Sequence, residues 1–200
     1  VLTLSVFEKC PLVDALLVVV PPGDVEAVRT EVLPPWNLKK VAAIVPGGKE
    51  RQDSVRAGIE VLDREAGLVI IHDAVRPFIT VELIEKCIRA AAEEGAATVG
   101  VPVKDTVKEV AADGRVMRTC DRNLLWLTQT PQAFRRDIIE NAHRAAVRDG
   151  YRGTDDTSLV ERLGIAVRMI RGDYGNVKIT TPEDLVIAEA LLATSRQAKG

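Results

Sequence analysis

Four loop segments of this 200-residue chain carry residue types suited to a phosphorylated ligand. In His72-Asp73-Ala74-Val75-Arg76-Pro77 an apolar run, Leu68 to Ile71, passes straight into an acid, a base and a proline. A carboxylate at such a strand end could hold a magnesium ion, and an arginine three residues on could hold an anionic group. The plainer alternative is a loop whose Asp73 and Arg76 cap backbone groups or pair with each other. In Gly47-Gly48-Lys49-Glu50-Arg51-Gln52-Asp53-Ser54, two glycines would let the backbone approach a flat ring or a phosphate. The segment lacks the Gly-Lys-Ser/Thr ending of a Walker A loop. A simple turn with Asp53 or Ser54 as N-cap is its alternative. Thr106, Arg122 and Thr130 form a third group, in which Arg122 could set its planar fork on a phosphate or instead pair with Asp121 or a neighbour. The fourth is Thr154-Asp155-Asp156 with Lys178, which lies in a strand-like pattern between Val177 and Ile179. Lys178 could project from a sheet edge toward the same rim, or simply be a solvated edge lysine.

These segments need a scaffold, and the patterning supplies one. Ala15–Val20, Lys39–Val45, Leu68–Ile71 and Ala97–Val103 read as strands. Helical patterns fall between them, from Asp24 to Leu33, Asp53 to Asp63 and Thr80 to Glu94, with Thr80 as N-cap. Strands alternating with helices imply βαβ units. The expected fold is therefore α/β, a doubly wound and mostly parallel sheet in a single domain over residues 1–200. The rhythm breaks at 104–122, where two strand-like segments flank Asp113-Gly114, a favoured hairpin turn. A two-stranded ribbon is marginally stable alone, so this hairpin is expected to be an arm lying on another subunit. Beyond it, Thr130-Pro131-Gln132 is expected to end an apolar segment. Arg135–Arg148 is expected to be helical, Thr154–Ser158 to start a helix, and Ile165–Ile170 and Asn176–Ile179 to be strands. Thr181-Pro182-Glu183-Asp184 should open a last helix running to about Thr194 before a polar tail.

Composition narrows the function classes. A hydrophobic fraction of 46% with 28% charged residues is that of a folded globular protein, and a net charge of −2 argues against a nucleic-acid or anionic-membrane binder. The longest apolar run stops at Pro21-Pro22, far short of the roughly 18 residues of a membrane span. Cys10, Cys87 and Cys120 are widely spaced and read as reduced thiols of a cytoplasmic protein. Two histidines exclude a multi-histidine metal centre. Val1–Phe7 looks like the middle or end of a helix, so a preceding segment is expected.

Taken in order, the segments are specific where each alone is not. Gly-Gly-x-x-Arg-x-x-Ser-Val (47–55), His-Asp-Ala-x-Arg-Pro (72–77) and Pro-Val-x-Asp-Thr-x-Lys (102–108) are followed by Asp-Arg-x-x-Leu-Trp-x-x-Gln-Thr-Pro-Gln-x-Phe (121–134). Thr-Asp-Asp-x-Ser (154–158) and Asn-x-Lys-Ile-Thr-x-Pro-Glu-Asp (176–184) complete the series. The chain resembles the 2-C-methyl-D-erythritol 4-phosphate cytidylyltransferases of the non-mevalonate isoprenoid pathway, from Ala15 to Leu192. The resemblance implies a Rossmann-like nucleotidyltransferase in which a polyol phosphate attacks the α-phosphorus of CTP with Mg²⁺ present. It implies that Gly47, Gly48, Lys49 and Ser54 hold the nucleotide, and that Asp73 lies near metal and substrate with Arg76 a substrate contact. It implies a homodimer in which Thr106, Arg122 and Thr130 reach across as arm residues, while Thr154 and Lys178 act from the home subunit. Arg122 and Lys178 would then orient the attacking phosphate. The family's own glycine-rich phosphate loop is expected upstream of Val1. Lys49 stands where some relatives carry an acid.

The competing readings are a cytidylyltransferase for ribitol 5-phosphate, which shares much of this pattern, and a non-catalytic dimeric CTP-binding module. The chemistry favours an enzyme. Two anions must meet, and cations must offset their repulsion and align the attack. No activated covalent nucleophile is evident in the sequence.

Overall fold

The computed structural model describes residues 1–197. Its order is α1 (Leu2–Lys9), β1 (Leu16–Val20), the single turn α2 (Val25–Ala27), β2 (Val41–Pro46), α3 (Arg51–Glu60), β3 (Leu68–Ile71) and α4 (Val81–Glu94). There follow β4 (Ala96–Pro102), β5 (Lys108–Val110), β6 (Val116–Thr119), β7 (Trp126–Arg135), α5 (Arg136–Arg148), α6 (Asp156–Glu161), β8 (Arg168–Arg171) and α7 (Pro182–Gln197).

The strands pair as β3-β7-β4-β8, with β1 and β2 forming a separate parallel ladder. β4 and β8 are parallel, and β7 runs antiparallel to both β3 and β4. Within the four-stranded sheet β7 alone is therefore reversed, and β3, β4 and β8 end on one rim. Helices cover both faces. One core joins Phe7, Leu83, Ile84, Cys87 and Ile88 to the sheet residues Ala97, Val99 and Ala133. The other joins Ile59, Ile139, Ala142, Leu159 and Val160 to Val69, Ala96 and Phe134. Ala96 to Val101 of β4 is buried throughout, as a strand covered on both faces must be. This is the doubly wound, Rossmann-like α/β fold.

Four local expectations are corrected. Residues 24–33 do not form one helix: a 3₁₀ turn, α2 and a wider turn over Val28–Val32 succeed one another, and none of these turns buries a residue. Short helices depend on tertiary packing, and here no side chain is fully buried. The strand after Trp126 does not end at Pro131. β7 continues to Arg135, with a register shift opposite Val99 where Pro131 has no ladder partner, so its missing N–H breaks no pairing. Residues 176–179 are not a strand but a pinned loop, described below. The polar tail expected after Thr194 is helical as far as Gln197, and residues 198–200 lie outside the described residues.

Candidate active site

Asp73 lies two residues past β3, on the rim where β3, β4 and β8 end. Its backbone N–H donates to Thr130 Oγ1 at 3.0 Å, because the reversed strand β7 enters from that rim and carries Thr130 alongside. The Thr130 hydroxyl also meets His72 Nδ1 at 3.1 Å, and His72 Nε2 meets the Arg76 carbonyl at 3.1 Å. A carbonyl only accepts, so Nε2 carries the proton and the threonine hydroxyl donates to Nδ1. Thr130 thus spends its only proton on His72. Burial, with the Arg76 charge adding to it, pushes His72 down to about 4 against the opposing pull of Asp73, so the ring is neutral. From below, α1 braces the same loop: Thr3 donates to the Ala74 carbonyl at 2.6 Å and Phe7 packs on the His72 ring at 5.0 Å.

Three cations face the Asp73 carboxylate. Arg51 Nε is 3.1 Å from Oδ1, Lys178 Nζ is 3.1 Å from Oδ2, and Arg76 Nε is 3.8 Å from Oδ2. Burial disfavours the charge on Asp73, yet Arg51 and Lys178 outweigh it and hold the carboxyl below its usual range. The two arginines differ. Arg51 has two carboxylates, Asp73 and Asp156, which overcome its own burial and raise its pKa. For Arg76 burial prevails and the pKa is lowered; its Nη1 donates to the Asn176 carbonyl at 2.8 Å while its buried Nε has no hydrogen-bond partner.

Lys178 is brought to Asp73 by the 173–179 loop. Asn176, buried, donates to the Thr130 carbonyl at 2.9 Å, and Gln129 donates to the Asp173 carbonyl at 2.8 Å. Ile179 N–H donates to the Val75 carbonyl at 2.9 Å. The loop is therefore stitched to β7 and to the Asp73 loop, and Lys178 owes its position to these bonds rather than to a sheet edge.

Gly47 and Gly48 fold back onto the start of α3. Gly48 N–H donates to Ser54 Oγ at 3.1 Å, and Ser54 donates to the Glu50 carbonyl at 3.1 Å. A Cβ on Gly47 would come within 2.7 Å of Ser54 Oγ, and one on Gly48 within 2.3 Å of Asp53 Cβ. Close approach, not an unusual backbone angle, requires glycine at both. Lys49 is exposed at the tip. The next residue but one, Arg51, carries this loop's helix into the Asp73 cluster. Thr154 is exposed just before α6, in a segment tied to α3 by Gln52, which donates to the Tyr151 carbonyl at 3.2 Å and accepts from Gly153 N–H at 3.0 Å.

The hairpin forms where expected. Lys108 pairs with Thr119, Arg118 pairs with Glu109, and Lys104 lies 3.6 Å above the Tyr174 ring at its root. Arg122 is exposed and donates to the Lys104 carbonyl at 3.0 Å rather than pairing with Asp121. Among the described residues no hydrogen bond or ion pair joins Thr106 or Arg122 to Asp73. Asp73, Arg76, Thr130 and Lys178 thus converge, Gly47, Gly48 and Ser54 adjoin them through α3, and Thr106 and Arg122 stay apart. Thr130, expected with the arm, belongs to β7 and is buried beside Asp73 in its own chain.

Sequence reasoning missed the roles of Arg51, Asp156, His143 and Gln132. Arg51 Nη1 is 2.7 Å from Asp156 Oδ2, and His143 Nε2 is 3.2 Å from Asp156 Oδ1. Arg51 and Asp156 stand inside the quoted motifs, but only the fold places them together. For a metal, no group of three or more His, Cys, Asp or Glu able to hold one occurs among the described residues. A lone carboxylate at the rim does suit Mg²⁺, which keeps several waters and is held by one or two carboxylates plus substrate phosphates.

The family model described as "IspD: 2-C-methyl-D-erythritol 4-phosphate cytidylyltransferase" matches residues 1–194. A protein of that name from Syntrophus aciditrophicus is 51% identical over 190 residues, covering 95% of this chain and 81% of the relative. One from Pelotomaculum thermopropionicum is 51% identical over 189 residues, covering 94% and 79%. The crystal structure of 4-diphosphocytidyl-2C-methyl-D-erythritol synthase from Anaerococcus prevotii superposes with a TM-score of 0.89 at 32% identity, covering 96% of this chain and 84% of that one.

Proposed function

The chain belongs to the 2-C-methyl-D-erythritol 4-phosphate cytidylyltransferase family, and from that premise we propose how its residues divide the reaction. It is a nucleotidyltransferase that passes the cytidylyl group of CTP to 2-C-methyl-D-erythritol 4-phosphate in the non-mevalonate route. An oxygen of the acceptor phosphate attacks the α-phosphorus, the bond to the bridging oxygen breaks, and pyrophosphate leaves as the new diphosphate forms.

Arg76 and Lys178 receive the acceptor phosphate, with Thr154 at the same mouth. The Gly47-Gly48 turn, Lys49 and Ser54 border the nucleotide. Thr130 acts indirectly: its proton is committed to His72, so it aims Asp73 rather than donating to a phosphate. Asp73 would hold Mg²⁺ together with the nucleotide phosphates, and the ion would supply neutralisation of phosphate charge. Arg122 and Thr106 come from a second copy of the chain, whose hairpin arm completes the site. Support for the dimer lies in outward apolar residues of the arm and just beyond it: Val116 and Met117 are 60% and 67% exposed, and Leu124 is 79% exposed. No helix among the described residues is long and apolar enough to cross a membrane. Three free cysteines fit the reducing cytoplasm, where we place the protein.

One observation carries this reading: Arg76 and Lys178 meet on Asp73 at a rim beside a glycine loop. The test is pyrophosphate release from CTP and Mg²⁺ with methylerythritol phosphate or ribitol 5-phosphate as acceptor. Turnover with the former at higher kcat/KM is expected, and the opposite preference would overturn the acceptor assignment.

A further inference from the structure

We propose that Arg51 is a positioning residue for the acceptor site, tethering the Asp73 carboxylate to a buried anchor while Lys178 exchanges from Asp73 to the incoming phosphate. This rests on the reading above, in which Lys178 serves the acceptor.

The two oxygens of Asp73 have unlike partners. Oδ1 is held by Arg51, whose guanidinium presents Nε to Asp73 at 3.1 Å and Nη1 to Asp156 at 2.7 Å. A planar fork can bridge two carboxylates in fixed directions, whereas an ammonium is a single point of charge. The far end is buried. Asp156 and His143 are 1% and 2% exposed, and His143 Nε2 donates to the other Asp156 oxygen. The Asp156 N–H donates to Gln132 Oε1 at 3.1 Å, and Gln132 in turn donates to Thr98 at 3.1 Å and to Asp155 at 2.7 Å. This chain of bonds ties α5, α6, β7 and β4 to one end of Arg51.

Oδ2 is held by Lys178, whose side chain is 41% exposed on a flexible stem with one ion pair among the described residues. When a phosphate dianion arrives, Lys178 is the partner free to leave. Arg51 then keeps Asp73 paired and aimed, so the carboxylate is not left as a lone buried charge. Arg76, at 3.8 Å and committed to the Asn176 carbonyl, does not duplicate that hold.

The test uses the intact protein with Arg51→Lys, Arg51→Met, Asp156→Asn and the double variant Arg51→Met/Asp156→Asn. Steady-state constants for both substrates are measured beside thermal melting. Asn at 156 keeps an oxygen for Arg51 but removes the carboxylate charge that makes this a charge-assisted pair. We expect each single variant to lower kcat/KM for methylerythritol phosphate by about 10²-fold with KM for CTP changed less than about twofold. Arg51→Lys should recover less than about tenfold of the Arg51→Met loss, because a point charge does not bridge. The double variant should match Arg51→Met, since the anchor acts only through Arg51. Multiplying losses in the double variant, equal rises in both KM values, or full rescue by lysine would each overturn the proposal. If Arg51→Met melts below the assay temperature, Arg51→Lys and Asp156→Asn decide alone, through the KM split. Wild-type protein without turnover would remove the underlying reading, and the proposal with it. Wild-type turnover with unaffected variants would sink the tether only.

Discussion

Asp73 and Arg122 each follow a strand and each carry a charge that the proposed function assigns to phosphate handling, but their surroundings are opposite. Around Asp73, side chains from four stretches (Arg51, Arg76, Thr130, and Asn176 with Lys178) are already interlocked within one chain. The Arg122 side chain makes one hydrogen bond among the described residues, to the Lys104 carbonyl, and the strand pairs of the ribbon lie within the hairpin, whose root touches Tyr174. A prebuilt cluster can hold geometry before substrate arrives, which is the condition for electrostatic preorganisation. The arm has no such cluster around Arg122 among the described residues; under the proposed function its working geometry would come from the partner copy.

The sharpest way to break that contrast is Arg122→Ala. Removing a cation from an otherwise intact site should lower kcat by about 10³-fold, with CTP affinity by calorimetry within about threefold, because the nucleotide loop is far along the chain and untouched. Collapse of CTP binding would refute the division. Mixing inactive Arg122→Ala and Lys178→Ala proteins should then restore turnover, since a mixed dimer regains one whole site; no recovery after subunit exchange would mean the arm serves its own chain.

A second, smaller effect concerns how the arm is held. Val116→Lys with Met117→Lys puts charges on two of its exposed apolar side chains. Sedimentation should show the dimer weakened by at least about 10²-fold in Kd, from the lost burial of two side chains worth about 1.5 kcal/mol or more each. Unchanged association would move the interface elsewhere, for instance to the exposed Leu185, Val186 and Ile187 of α7.

The contrast also explains what could be read from the sequence. The arm was legible because Asp113-Gly114 and its flanking alternation are local signals. So was the N-cap of α4, where Thr80 accepts from Leu83 N–H. Lys178 was misplaced on a strand because Val-Lys-Ile alternation outvotes, in sequence, the long-range bonds of Asn176 and Ile179 that set this loop. Thr130 was grouped with Arg122 by proximity along the chain, but β7 carries it away from the arm and against Asp73. Arg51 and Asp156 were within motifs yet 105 residues apart, and nothing local pairs them.

Acid should separate the two regions next. His72 is buried and neutral, its pKa held near 4 against an ordinary value of about 6.5. Between those values the unfolded chain binds the proton and the folded chain does not. Stability is therefore complete above about pH 6.5, declines as pH falls toward 4, and loses about 3 kcal/mol across that window. Denaturant titrations from pH 7 to 4 should show the decline in the wild type and a smaller one in His72→Asn. The arm contains no histidine, so none of its pairing depends on an imidazole titrating in that window.

The smallest effect tests the joint between the regions. Tyr174 sits under Lys104 and donates from its hydroxyl to the Pro102 carbonyl at 2.6 Å, linking the arm's root to the loop that carries Lys178. Tyr174→Phe keeps the ring beneath the ammonium and removes only a partly exposed hydrogen bond, so stability should fall by no more than about 1 kcal/mol. Tyr174→Ala removes the ring as well and adds the loss of a solvent-exposed cation–π contact of about 0.5–1 kcal/mol. If the two regions are as independent as their bonding implies, neither change should move KM for CTP, and any fall in kcat should follow the ring rather than the hydroxyl. A large loss of kcat in Tyr174→Phe, at unchanged stability, would mean that the arm's root aims Lys178 and that arm and cluster are one device.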